Sequence, residues 1–260
     1  MITSLQNDRV KLAYGLQNRT GTRRKERKIA LEGRRLIADA LALGVKPTFV
    51  MYQPAKIDYD WLATLQDRGV ELLEVSDAVM AHLSDTRQSQ GVLAVCALPL
   101  PRQPRQPRRA LILDSVRDPG NLGTIFRTAA AAGVDVAILS PDCVDPYNPK
   151  VLRSGMGAHF RLPIFESDWG EIAAYCQPLT VYAAAGDGDM RYDRADFTAP
   201  HAIIIGSEAH GVSRKSRDLA AHTLYIPMAS ATESLNAALA ASVILFEASR
   251  QNLTDSPDSL

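Results

Sequence analysis

Residues 99 to 109 read P-L-P-R-Q-P-R-Q-P-R-R, and no regular element can run through them. Proline lacks a backbone N–H and fixes φ, so the stretch is barred from helix interiors and central strands and favours extended polyproline geometry. A chain of 260 residues is long enough to build a hydrophobic core on each side of such a spacer. The expected organisation is therefore a first domain at 1–98, a linker at 99–109 and a second domain at 110–260. Four linker arginines meet no acid and could touch phosphates, the plain alternative being a soluble spacer.

On both sides of the spacer, short apolar runs alternate with helical patterns of about ten residues, the signature of an α/β layer fold. In the first domain Asn7 caps a helix to about Arg19, which Gly21-Thr22 ends. Strands are expected at Lys28–Leu31, Thr48–Tyr52, Glu71–Val75 and Val92–Leu98, with helices at Arg34–Leu43, Trp61–Arg68 and Asp77–Leu83 between them. In the second, strands fall at 110–114, 134–139, Leu179–Ala184, Ala202–Ile205 and Thr223–Ile226. Helices fall at 122–132, from Asn148-Pro149 to Ser154, at Trp169–Tyr175 and at Leu235–Gln251.

Charge is balanced overall, 29 basic against 29 acidic residues, but it is unevenly spread. The first 35 residues hold ten Lys/Arg and three acids. A basic arm on a neutral chain fits a polyanion partner, the bland alternative being a solvated loop. Cys96, Cys143 and Cys176 are far apart and unpaired by motif, which argues for core packing in a reducing cytoplasm. No uncharged apolar run reaches the roughly 18–20 residues that span a bilayer, and the N-terminus lacks the apolar core of a signal peptide.

Three strand–loop–helix stretches carry polar residues that local folding does not demand. In the first, Leu111–Leu113 leads through a polar turn with the helix-stopping pair Pro119-Gly120 to Asn121, placed as an N-cap. Arg127 follows on the helix, about 200° around from Ile125 and so off the apolar stripe. In the second, I-I-I-G-S-E-A-H-G-V-S, the strand ends on Gly206 and the loop holds Glu208, Gly211 and a His210 with no assigned role. Ligands gather at such carboxyl ends of strands, and glycine lets them approach the backbone. In the third, Ile226 to Glu247, Ser234 reads as the cap of an alanine-rich helix with Asn236 in its first turn. Each stretch alone is explained by helix capping and surface charge; together they point to one site.

In order and spacing, N121-L-G-T-I-F-R127-T-A-A-A-A-G133, G206-S-E208-A-H-G211 and I226-P-M-A-S-A-T-E-S234-L-N236-A-A-L-A resemble the three motifs of the SpoU (TrmH-type) RNA ribose 2′-O-methyltransferases of the SPOUT superfamily. The resemblance covers roughly residues 110–250, and the first domain looks like the L30e-like RNA-binding domain of many members. It implies a SPOUT α/β domain with a C-terminal deep trefoil knot, a rare exception to unknotted topology. It also implies S-adenosylmethionine, without a metal, contacted by Ala184, Gly206, Ile226, Met228 and Leu235. Arg127, Asn121, Glu208, Ser234 and Asn236 would be the catalytic set, at the interface of a homodimer. The third motif reads N-A-A-L-A where N-V-S is common, but Ser234 and Asn236 are intact.

The substrate implied is ribosomal RNA, 23S-type rather than tRNA, held through phosphates by Arg9, Lys11, Arg23, Arg24, Lys25, Arg27, Lys28 and Arg34. The family assigns the motif-one arginine a part in deprotonation, yet a guanidinium is always protonated. Arg127 is better suited to hold the adjacent phosphate and stabilise the forming 2′-oxyanion, leaving the proton to phosphate or water. Two alternatives remain: a non-catalytic RNA- or ribosome-binding protein on the same fold, and a small-molecule α/β enzyme that leaves the basic arm unexplained. No GxGxxG follows a strand, and no P-loop or metal-ligand spacing occurs.

Overall fold

The computed structural model describes residues 1–86, 88–100, 103–229 and 235–253. Its elements begin with α1 (Asp8–Asn18), α2 (Thr20–Glu26), β1 (Lys28–Glu32), α3 (Arg34–Ala42), β2 (Phe49–Tyr52), α4 (Tyr59–Asp67), β3 (Glu71–Glu74), α5 (Asp77–Leu83) and β4 (Val92–Ala97). They continue with β5 (Arg109–Leu113), α6 (Pro119–Ala131), β6 (Val136–Leu139), α7 (Pro149–Gly155), β7 (Ile164–Glu166), α8 (Trp169–Cys176) and β8 (Thr180–Ala184). The last are β9 (Met190–Arg191), β10 (His201–Ile205), α9 (Arg214–Leu219), β11 (His222–Tyr225) and α10 (Ala237–Asn252).

Two compact units result. The first is residues 1–100 together with 147–160, so α7, expected in the second domain, packs in the first. Its sheet runs β1-β4-β2-β3, antiparallel except for the β2–β3 pair. Side chains alternate across that sheet, as a period of two requires. Ile29, Leu31 and Val50 pack with Ile37, Leu65 and Leu152 on one face. Ala30, Phe49 and Met51 pack with Val10, Leu16 and Met80 on the other. Gly21-Thr22 does not end helical structure as expected: α1 closes at Arg19, and the next helix begins at Thr20 and runs through both residues.

The 147–160 segment is tied in by a carboxylate. Glu32 is 6% exposed and accepts from the Ser84 hydroxyl, from Thr86 Oγ1 at 2.9 Å and from the Asp85 N–H at 3.1 Å. Arg153 Nη1 stands 3.6 Å from Glu32 Oε2, while its Nη2 donates to Asp85 Oδ2 at 2.8 Å. A buried carboxylate with this many donors fixes loop and helix together.

The second unit is residues 101–146 and 161–260, built on a parallel sheet ordered β7-β6-β5-β10-β8-β11-β9. All five β10 residues are buried, as suits a strand covered on both faces. From β5 the chain builds outward through β6 to β7, whereas β8, β10 and β11 lie on the other side. The β5–β10 junction is therefore the place where strand order reverses, and loops at its carboxyl end form a crevice.

Two helix starts differ from expectation. Pro119-Gly120 is the first turn of α6, not a stop, because a proline at the first position gives up only an N–H that has no partner there. The cap is Asp118, whose Oδ1 accepts from the Asn121 N–H at 2.8 Å, so Asn121 is not the cap. At α10 the cap is Asn236, whose Oδ1 accepts from Ala238 and Leu239; Ser234 lies outside the described residues. The short β7, β9 and α9 were not expected from the sequence pattern.

Replacing Glu32 with Ala removes the shared acceptor of three donors, and unfolding stability should fall by roughly 2–3 kcal/mol. A urea midpoint unchanged from the parent would contradict this role.

Candidate active site

The crevice is organised by Asp114, at the end of β5 and 1% exposed. Its Oδ2 accepts from the Ser213 N–H at 2.6 Å and the Ser216 hydroxyl at 2.7 Å. One carboxylate thus binds the end of β5 to the start of α9 and sets how the intervening loops meet. Sequence reasoning missed it, because a charged residue after an apolar run reads as a turn and its partners are 99 and 102 residues away.

Between β10 and α9 the loop is cinched by reciprocal backbone bonds between Ser207 and Gly211, at 3.0 and 2.9 Å. Gly211 sits at φ 63°, where a side chain is strained. At Gly206 a Cβ would fall 2.2 Å from the Gly211 carbonyl carbon, so no larger residue fits. The loop holds Glu208 exposed at its tip.

Glu208 is the end of a directional chain. The Asn236 carbonyl is committed to capping α10, so its amide N–H faces outward and donates to Asn121 Oδ1 at 3.1 Å. The Asn121 amide N–H then donates to Glu208 Oε1 at 2.7 Å. Three loops after β5, β10 and β11 are closed by two side-chain bonds whose direction the helix cap dictates.

Beside this chain lies a cavity of about 820 Å³. Ala184, Gly206, Ile226, Met228 and Leu235, all singled out from the sequence, line it together with Glu208. Tyr225, Ala237, Ala240 and Ile244 also line it and were not anticipated. The rim after β8 is pinned. Asp189 accepts from Thr223 N and Oγ1 at 2.7 and 2.8 Å, and these bonds hold its carboxyl below the usual carboxylate range. Asp187 is lowered likewise by the hydrogen bond from Arg217.

Arg127 stands apart. It is exposed on α6, with no hydrogen bond or ion pair among the described residues. Asn121, Glu208 and Asn236 are brought together; Arg127 does not join them within one chain. Its helix packs against α10, with Thr128 Oγ1 3.2 Å from Ser242 Oγ.

The basic set in the first unit divides. Arg23 is buried at 3% exposure, its guanidinium donating to the Leu16 carbonyl at 2.6 Å and to Thr20 Oγ1 at 3.0 Å, so it braces α1 against α2 rather than facing a ligand. Arg9 pairs with Glu71 at 3.1 Å and lies over Phe49, and Arg34 pairs with Asp58 and lies over Trp61. Lys11, Arg24, Lys25 and Arg27 are exposed, and Lys28 is half-buried. Burial pushes the Cys96 thiol up to about 12 and those of Cys143 and Cys176 up to about 11, which keeps all three unreactive.

Comparison with known proteins converges on one family. Residues 108–246 match the SpoU rRNA Methylase family model, and residues 7–94 match the MRM3-like substrate binding domain. The mouse (Mus musculus) protein named rRNA methyltransferase 3, mitochondrial, is 37% identical over 289 residues, covering 88% of this chain and 69% of that one. The Bacillus subtilis 23S rRNA (guanosine(2553)-2′-O)-methyltransferase RlmP is 30% identical, covering 94% and 97%. Among solved structures, the SpoU methyltransferase AviRb of Streptomyces viridochromogenes, in complex with AdoMet, superposes with a TM-score of 0.84 at 28% identity, covering 95% and 98%. An AdoMet-bound rRNA methyltransferase from Sinorhizobium meliloti gives 0.84 at 31% identity, covering 97% and 98%.

Gly206→Ala should force the Ser207–Gly211 loop apart at a cost of about 1–3 kcal/mol, seen as a lowered melting temperature. Melting at the parent temperature would show that the loop is not closed as described.

Proposed function

The chain belongs to the SpoU rRNA methylase family, and from that premise we propose that it transfers a methyl group from S-adenosylmethionine to a ribose 2′-hydroxyl of ribosomal RNA, 23S-type. The observation that carries the reading is the coincidence of the cavity with the chain Asn236–Asn121–Glu208 at the switch point of a parallel sheet. The cavity fits the cofactor chemically. Its wall mixes apolar side chains such as Ile226, Leu235 and Ile244 with polar surface in about equal measure, and at Gly206, where no Cβ fits, the backbone itself is the surface. Ala184, Gly206, Ile226, Met228 and Leu235 would hold the cofactor. The return of α10 to pack against α6 and β10, after β11 has passed beyond β8, supports the knotted arrangement.

When bound, S-adenosylmethionine supplies an electrophilic sulfonium methyl that an in-line oxygen can take. The residues of the chain then have two tasks. The Asn236–Asn121–Glu208 chain holds three loops in register, so that ribose and methyl donor meet at a fixed distance and angle. Arg127, permanently charged, grips the phosphate next to the target ribose and stabilises negative charge developing on the 2′-oxygen, while the proton leaves to phosphate or water. Ser234 would assist in orienting the sugar.

A second copy of the chain supplies the arginine. Arg127 does not reach its own Asn121–Glu208 pair, and it shares a helical layer with α10, whose Leu239 and Phe246 are 55% and 52% exposed two turns apart. An apolar helix face beside an unpaired arginine fits a self-complementary homodimer with composite sites. Exposed Lys11, Arg24, Lys25 and Arg27 in the first unit would bind RNA phosphates. No described helix is long and apolar enough to cross a membrane. Three unpaired thiols support a reducing compartment, assigned as the cytoplasm.

S-adenosylmethionine at about 100 times its dissociation constant should stabilise the protein by about 2.7 kcal/mol. No thermal shift at millimolar cofactor would overturn the reading in favour of a non-catalytic RNA binder. Arg127→Ala and Glu208→Ala should each lower kcat by roughly 100-fold or more. Mixed together after dissociation, the two variants should regain about a quarter of parental turnover, because half the dimers then hold one intact composite site. No regain would place Arg127 outside a shared site.

A further inference from the structure

In the second unit a late strand lies between two earlier ones. β11 pairs with β8 on one side, Leu224 opposite Ala184, and with β9 on the other, Leu224 opposite Met190, all in parallel. Residues 185–189 alone join β8 to β9, so this short loop has to straddle β11. Both partners of the crossing wall the cavity: residues 184–186 where the loop begins, and residues 224–228 on the strand beneath it and its continuation. The spacing between loop and strand is therefore one dimension of the cavity.

The crossing is clasped. The Ala185 N–H donates to the Leu224 carbonyl at 2.8 Å, and the Gly188 N–H donates back to the Ala185 carbonyl at 3.1 Å, which turns the loop over the strand. At Gly188 the two backbones touch: an added Cβ would fall 2.7 Å from the Thr223 carbonyl oxygen and 2.8 Å from the Leu224 carbonyl carbon. Asp189 then closes on Thr223 from both directions. Its Oδ1 accepts from the Thr223 N–H at 2.7 Å and from the Thr223 hydroxyl at 2.8 Å, and its own N–H donates to Thr223 Oγ1 at 3.1 Å. Oδ1 takes both bonds, whereas Oδ2 stands 3.6 Å from His222 Nδ1. Asp189 is exposed, so its bonds are individually modest, and the close backbone approach at Gly188 matters more. The neighbouring Asp187–Arg217 pair is solvent-exposed and adds little. Gly188, Asp189 and Thr223 are not themselves lining residues.

We infer that the clasp of Gly188 and Asp189 on Thr223 sets the affinity for the methyl donor, as a positioning device that touches no ligand. The inference rests on the methyl-transfer reading above. Two walls already held at the right spacing need no ordering when the ligand arrives, and the dissociation constant is lower for it. Released, the loop can lift from β11, and binding must first bring the walls together. The ribose side of the crevice is held separately, by Asp114 and by the amide chain from Asn236 to Glu208. Loosening the clasp therefore weakens donor binding alone and leaves RNA binding and the chemical step as they were.

The test is calorimetric titration of the full-length protein with S-adenosylmethionine, together with steady-state kinetics and amide hydrogen exchange of the ligand-free protein. Asp189→Ala should raise both the dissociation constant and the KM for S-adenosylmethionine by roughly 3- to 10-fold. Gly188→Ala should raise them by roughly 10-fold or more. The KM for RNA and kcat at saturating donor should stay within about twofold of the parent. Asp189→Asn, which keeps the Oδ1 acceptor, should bind as the parent does. Without ligand, the amides of residues 185–189 should exchange faster in both alanine variants, and unchanged exchange would show that the loop is held by other means and overturn the inference. Parental affinity in Asp189→Ala, or a loss in kcat with the donor KM unchanged, overturns it too. So does Asp189→Asn binding as weakly as Asp189→Ala, which would assign the effect to charge beside His222. Should Gly188→Ala fail to fold, the two Asp189 variants decide alone. A parent that binds no S-adenosylmethionine overturns the methyl-transfer reading and this inference with it, whereas equal affinities across the set overturn the clasp and leave that reading standing.

Discussion

The second unit depends on a buried carboxylate placed where the parallel sheet reverses its strand order. Asp114 is sealed at the end of β5 and takes two short hydrogen bonds from the first turn of α9. A carboxyl group so buried must be fully partnered, and the partners it found lie across the crevice. Meeting that demand ties the end of β5, which leads into the α6 turn that carries Asn121, to the far end of the loop that carries Glu208. Short-range order follows: the Gly206–Gly211 closure, then the amide chain from the α10 cap to Glu208. No single link is strong, but each fixes the next, and the outcome is three loops that share one geometry beside one cavity.

Much of this was legible in the sequence. The alternation of elements and the buried β10 run follow from local pattern, whereas Ala184, Gly206, Ile226, Met228 and Leu235 follow from the family resemblance, and these five lie as a group around one cavity. The helix caps are where local pattern misleads. Pro119 reads as a stop, yet the Asp118-Pro119 pair is a helix start, and of two good cap residues near α10 the described one is Asn236. The corrected caps matter to function, since only a capping Asn236 has its amide turned toward Asn121.

What the sequence does not reveal is which charged groups are used inside the fold. Asp114 with Ser213 and Glu32 with Arg153 are distant in the chain, Arg23 bonds the Leu16 carbonyl only seven residues away, and none of these buried or half-buried contacts is announced by period or composition. Arg23 was counted with the RNA-facing cations because a basic run looks uniform in sequence, whereas folding uses one member of it internally. The same effect drew residues 147–160 into the first unit, because Leu152 fills one face of its sheet and Arg153 meets its buried glutamate.

The central claim is the atom that receives the methyl group. Ribosomal RNA from cells lacking the protein, incubated with the enzyme and S-adenosylmethionine labelled in the methyl group, should be hydrolysed in alkali and its products separated. A 2′-O-methyl blocks cleavage at its own phosphodiester, so the account predicts label only in an alkali-resistant dinucleotide. Label recovered in ordinary mononucleotides would mean methylation of a base, and would contradict the assignment of a ribose oxygen to this site.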